Sequence, residues 1–150
     1  MSLQEKIDRS EDSPELRIPR AKWGLDHASV LLYVETRAVD YRGLIDVDRM
    51  RCNPRRHPFL EGRAAGLAVK GRTFSSPTRL RNGEKVAGHD DWDCLDDIIA
   101  EGLAENTGTG VNVRVRLTDE GWKLVHAVRR HRAENDTVIA PFNFETWRPS

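Results

Sequence analysis

Residues 98–128 read IIAEGLAENTGTGVNVRVRLTDEGWKLVHAV, and how this stretch divides decides the organisation of the chain. Val111, Val113, Val115 and Leu117 alternate with Asn112, Arg114 and Arg116. Alternation with period two turns the apolar set to one side, which predicts a half-buried strand with a basic outer face. Thr118 then supplies an oxygen for the orphan amides of a helix, with Asp119 and Glu120 in its first turn, where the helix dipole favours acid. Trp122, Leu124, Val125 and Val128 form the core face of that last helix. Upstream, a helix is expected over about Asp91–Glu105, capped by Asp90 or His89 and burying Trp92, Leu95, Ile98, Ile99 and Leu103 on one arc. Thr107–Gly110 reads as the turn between helix and strand.

Working outward, Asp26 predicts the cap of a first helix over about His27–Tyr41, whose apolar face is Val30, Leu31, Val34, Ala38 and Tyr41. Gly43 suits its stop. Leu44–Ile45 has the length of one strand rung, and Asp46 is a second N-cap, for a short helix near Val47–Cys52. Asn53–Pro54 breaks that helix, and residues 53–76 read mostly as loop. Thr78–Arg81 and Glu84–Ala87 flank Asn82–Gly83, the dipeptide of a type I′ hairpin turn. Three segments follow: a flexible N-terminal arm over 1–20, a folded domain over 21–134, and a C-terminal tail over 135–150. The tail carries Phe142, Phe144 and Trp147, and three aromatics so close together are expected to dock on the domain or on a partner.

The fold class expected is α+β. The order of helix, short strand, helix, variable segment, helix, ribbon and helix resembles a winged helix, a helix-turn-helix variant with a β-wing. The sharpest match is Glu101–Gly102–Leu103, the strand Val111–Leu117, and Leu117–Thr118–Asp119–Glu120–Gly121. Together they are similar to the "EEGL" turn, wing and "LTxxG" cap that close regulators of the MarR or PadR type. The resemblance implies a DNA-binding module, elaborated by small hairpins between the second and third helices, and the frequent dimerisation of such modules through terminal segments. Runs such as KWGLDH (22–27) and GHDDWDC (88–94) are also similar to small proteins of actinobacteria and their phages, a likeness that brings no activity with it.

Charge sets limits on that reading. The 150 residues carry 24 Lys+Arg against 24 Asp+Glu, so any nucleic-acid surface has to be a local patch. Arg114 and Arg116 on the wing, with Arg79 and Arg81 on the hairpin, are the residues expected to meet phosphate; the plain alternative is a solvated face paired with nearby acids. The third helix argues the other way. On a helical wheel its outward face carries Asp90, Asp93, Asp97, Glu101 and Glu105, and a carboxylate facing phosphate is repulsive. A protein-interaction domain is the rival reading. In it, Asp93, Asp97 and Glu101 meet a basic partner, and Phe142, Phe144 and Trp147 mediate docking or homodimerisation.

Cys52-x4-His57 and His89-x4-Cys94 have mirrored spacing and form a zinc candidate, weighed against free thiols and surface imidazoles. Cys94 falls on the polar side of its expected helix. No phosphate-binding loop, dinucleotide fingerprint, nucleophile elbow or zinc-protease motif occurs, so a non-enzymatic protein without cofactor is expected. The polar start (Met1–Arg17) lacks an apolar leader, two cysteines make no disulfide scaffold, and no apolar run suits a membrane span, so a cytoplasmic location without membrane contact is expected.

Overall fold

A computed structural model describes residues 17–46, 49–50, 77–109, 113–135 and 141–149. These build an α+β arrangement. Helix α1 spans Leu25–Asp40, strand β1 Thr78–Arg79 and strand β2 Lys85–Val86. Helix α2 spans Asp91–Ala100, strand β3 Ala104–Asn106, strand β4 Val115–Leu117 and helix α3 Asp119–Glu134. Strands β1 and β2 pair antiparallel, as do β3 and β4. Helix α1 packs chiefly on α2, and also on α3 and β4. Leu31, Val34, Ile98, Leu124 and Val128 meet in the core with almost no exposed surface; burying each contributes about 1.5–3 kcal/mol. No helix among the described residues is long and apolar enough to cross a membrane.

The LTxxG cap has a physical origin in this chain. Thr118 Oγ1 accepts from the Gly121 amide at 3.1 Å and donates to the Gly102 carbonyl at 2.8 Å. The Thr118 amide donates to the Leu103 carbonyl at 3.0 Å. This clamps the start of α3 against the end of α2. A Cβ built on Gly121 would lie 1.9 Å from the Leu103 oxygen, so only glycine permits the approach.

The one-rung strand finds a partner. Leu44 bridges Arg114 antiparallel, the Ile45 amide donates to the Val113 carbonyl at 2.9 Å, and the Val115 amide donates to the Gly43 carbonyl at 2.8 Å. Residues 44–45 therefore lie against β4 on the side away from β3. Gly43 turns the chain into this pairing with φ +84°, and a Cβ there would meet the Val115 oxygen at 2.2 Å.

Several boundaries differ from those the sequence suggests. Helix α1 begins on Gly24, and Asp26 sits in its first turn rather than capping it. Its carboxylate is drawn to Arg79, whose amide reaches it at 2.6 Å. Helix α2 ends at Ala100, because Gly102 adopts φ +77° and the Leu103 amide returns to the Ile98 carbonyl. This releases residues 104–106 as the partner of β4. At the β1–β2 hairpin only Gly83 has positive φ, so the turn is not type I′. The Gly83 amide closes on the Leu80 carbonyl at 3.0 Å, and Asn82 Oδ1 accepts from the Glu84 amide at 2.9 Å. The expected helix at 47–52 falls largely outside the described residues, as does the loop reading of 53–76.

The ends of the domain are tied in. Ile18 is buried, a 3-10 turn spans Arg20–Lys22, and Trp23 is fully enclosed and bridges Leu80. Residues 17–20 thus belong to the folded body rather than to an arm. Phe144 is also fully buried, edge-on to Trp23 at 5.4 Å and to Phe142 at 4.9 Å. Of the two destinations expected for the aromatic tail, its own domain is the one it takes.

Candidate functional site

The most distinctive chemistry lies inside the molecule. His27 sits on α1 in register with Val30, Leu31 and Val34, the stripe that faces α2. His89 lies just before α2, and Asp97 two turns into it. All three are buried. His27 Nε2 lies 2.8 Å from Asp97 Oδ2, and His89 Nε2 lies 3.0 Å from the same oxygen. Asp97 Oδ1 accepts from the Ile18 amide at 3.2 Å. One carboxylate therefore joins the N-terminal segment, α1 and the lead-in to α2.

Further contacts set the hydrogens. Thr78 Oγ1 lies 2.9 Å from the His89 carbonyl, to which it can only donate, and 2.7 Å from His89 Nδ1. Trp23 stacks flat on His27, with ring centroids 4.8 Å apart, and its Nε1–H donates to the Ile18 carbonyl at 2.8 Å. His27 Nδ1 is buried with no partner. Burial holds the His27 imidazole below its ordinary range, against the hydrogen bond and charge of Asp97 that favour the cation; His89 also disfavours a second charge. Neutral His27 carries its hydrogen on Nε2, toward Asp97, and a bare lone pair on Nδ1.

His27, His89 and Asp97 are also the set among the described residues that could hold a metal ion, with ligand atoms within 4.8 Å of one another. The hydrogens fit such an ion poorly. A metal on His27 Nε2 would move the ring hydrogen to Nδ1, where nothing accepts it, whereas metal-bound imidazoles nearly always donate from the second nitrogen. Of the zinc candidate, Cys52 and His57 lie outside the described residues. His89 Nδ1 is engaged by Thr78, and Cys94 Sγ lies 3.9 Å from it. Cys94 is buried in the core, not on a polar face, and burial pushes its thiol well up despite the Thr78 hydroxyl nearby.

The expected acidic face of α2 is corrected in the same way. Asp90 and Asp93 are buried and cap each other's amides, at 3.0 Å in both directions. Asp97 is turned inward by its three donors. Glu101 lies 3.8 Å from Arg20. Asp93 and Asp97, with the enclosed Phe144, are thus not available to the basic or docking partner for which the sequence marks them. Phe142 and Trp147 are half-buried against the same core.

The four marked arginines lie at two places. The Arg79 guanidinium pairs with Asp26 at 3.0 Å, at the start of α1, and Arg81 is exposed on the same hairpin. Arg114 donates to the Arg42 carbonyl at 2.9 Å, just past the end of α1, and Arg116 pairs with Glu105 across the ribbon. A helix of 16 residues separates the two places, about 24 Å at 1.5 Å per residue. They do not merge into one patch.

The sequence reading missed His27 altogether and placed His89 and Asp97 in different roles. A signal existed: His27 occupies the first position of the stripe completed by Val30, Leu31 and Val34, and a histidine there has to find a buried acceptor. Comparison with protein-family models, with curated proteins and with solved structures returns no match for this chain.

Proposed function

We propose that this chain is a winged-helix-like nucleic-acid-binding module that grips backbone phosphate through the outer face of its β3–β4 ribbon. The observation that carries the reading is the pairing of residues 44–45 on β4. With it, the described residues run helix, edge strand, hairpin, helix, two-stranded ribbon and helix, which is the order of an elaborated winged helix apart from the helix expected near 47–52, a stretch largely outside the described residues. Arg116 lies on β4 and Arg114 two positions earlier, in the bridged residue that leads into it, so both fall on one side of the sheet, and Arg42 adjoins Arg114. Glu105 screens Arg116, but an exposed pair of this kind is worth about 0–1 kcal/mol and yields to phosphate.

The helix preceding the ribbon limits what is read. On α2 only Asp96 and Ala100 are exposed. Neither suits hydrogen-bonding to base edges beside phosphate, so the contact is to backbone and carries little sequence preference. Anisotropy of a labelled short duplex at several salt concentrations tests this. With two or three phosphates neutralised, log affinity falls against log salt with a slope of about −2 to −3. Replacing Arg114 and Arg116 by Gln lowers affinity and flattens that slope by about 2. Absence of binding at low salt, or an unchanged slope in the double variant, refutes the proposal.

A further inference from the structure

We propose that the His27–Asp97–His89 cluster is an acid-released latch, in which protonation of His27 frees the segment 17–23 from α1 and α2. The inference stands apart from the nucleic-acid reading and rests on one buried carboxylate with three partners. Asp97 accepts from the Ile18 amide at 3.2 Å, and its other oxygen lies 2.8 Å from His27 Nε2 and 3.0 Å from His89 Nε2. All of these residues are buried.

The place for the next proton is His27 Nδ1. That atom is buried and unpartnered, so a hydrogen added there has no acceptor. The groups facing the ring are Asp97, already shared with the Ile18 amide, His89 on the same carboxylate, and Asp26, itself tied to Arg79. Cys94 lies behind Thr78. A cation in the core whose new hydrogen finds no acceptor is strongly unfavourable. Water reaches Nδ1 when the lid moves, and the lid is Trp23, stacked on the imidazole. Trp23 holds the Ile18 carbonyl, Ile18 holds Asp97, and Phe144 rests on Trp23. Releasing one releases the set, while the clamp between α2 and α3 at Thr118 stays shut.

Amide hydrogen exchange on the full chain, expressed as protection factors between pH 7.5 and 5, tests the latch. The amides of Ile18 and of residues 20–23 are expected to lose protection as pH falls below about 6.5, by up to tenfold per pH unit for one proton taken up. The amides of α3 hold theirs. In His27→Gln, which keeps an N–H donor for Asp97 and does not titrate, the loss disappears. A flat profile in the natural chain, or the same fall in the variant, overturns the proposal. Imidazole nitrogen spectra of the unaltered protein give a check that needs no variant. His27 Nδ1 is expected to be a bare nitrogen at pH 7.5; a protonated Nδ1 there, or a stoichiometric metal ion retained through purification, overturns it.

Discussion

Replacing Asp97 with alanine removes the acceptor on which three parts of the chain converge. The Ile18 amide, His27 Nε2 and His89 Nε2 all lose their partner at once. None of these groups can turn to water, because Ile18, His27 and His89 are buried. Breaking a buried charged pair by deleting one side costs about 3–5 kcal/mol, since the remaining groups stay desolvated. A domain of this size has about 5–15 kcal/mol in total, so about a fifth or more of its stability goes. Urea unfolding followed by circular dichroism reads the loss as a fall in midpoint of about 1.5–2.5 M at an unchanged slope near 2 kcal/mol per molar. Asp96→Ala, one residue along but on the exposed side of α2, is expected to cost less than about 1 kcal/mol. If both variants cost the same small amount, Asp97 is not the hub described here.

Other outcomes follow from the same contacts. Gly121→Ala forces a methyl group onto the Leu103 carbonyl and is expected to lower stability by more than about 3 kcal/mol, against about 1–2 kcal/mol for Thr118→Ala, which removes the cap and the hydroxyl's bond to the Gly102 carbonyl; thermal melts of both compare them. Global stability falls as pH drops. His27 is held below its ordinary range in the folded chain, so the unfolded chain takes up the proton first, and from about pH 6.5 downward stability declines by up to about 1.4 kcal/mol per pH unit. Denaturant midpoints across pH 7.5 to 5 check that sign, and a rise on acidification contradicts it. Cys94 resists alkylation in the native state, being buried with its thiol pushed up; peptide mass mapping after iodoacetamide treatment finds it labelled only once denaturant is present.

What could be read from the sequence depended on whether the deciding contact was local. The cap at Thr118, the core face of α3 and the alternation that made β4 are set by neighbours within a few residues, and the structure bears them out. The single rung at Leu44–Ile45 was also legible, but its partner, about 70 residues away, was not. The acidic helix shows why periodicity failed. A helical wheel places aspartate on the water side, because an unpaired carboxylate cannot stay buried. Asp90 and Asp93 escape that rule through reciprocal capping, which the spacing allows, and capping by Asp90 was among the expectations. Asp97 escapes it through donors 70 and 79 residues distant in the chain, which no local window contains. The arginines were marked by alternation and turn position, and those features do not show that Arg79 would spend its charge on Asp26 or that the two pairs would sit at opposite ends of α1.

The most direct test of the functional account is amide chemical-shift mapping of the folded chain as a short duplex is added at low salt. Perturbed residues are expected to gather at 42–45 and 113–117, around Arg42, Arg114 and Arg116, and the shifts to collapse as salt is raised. Shifts gathered instead on the β1–β2 hairpin or on residues 141–149, or none at all, would contradict it.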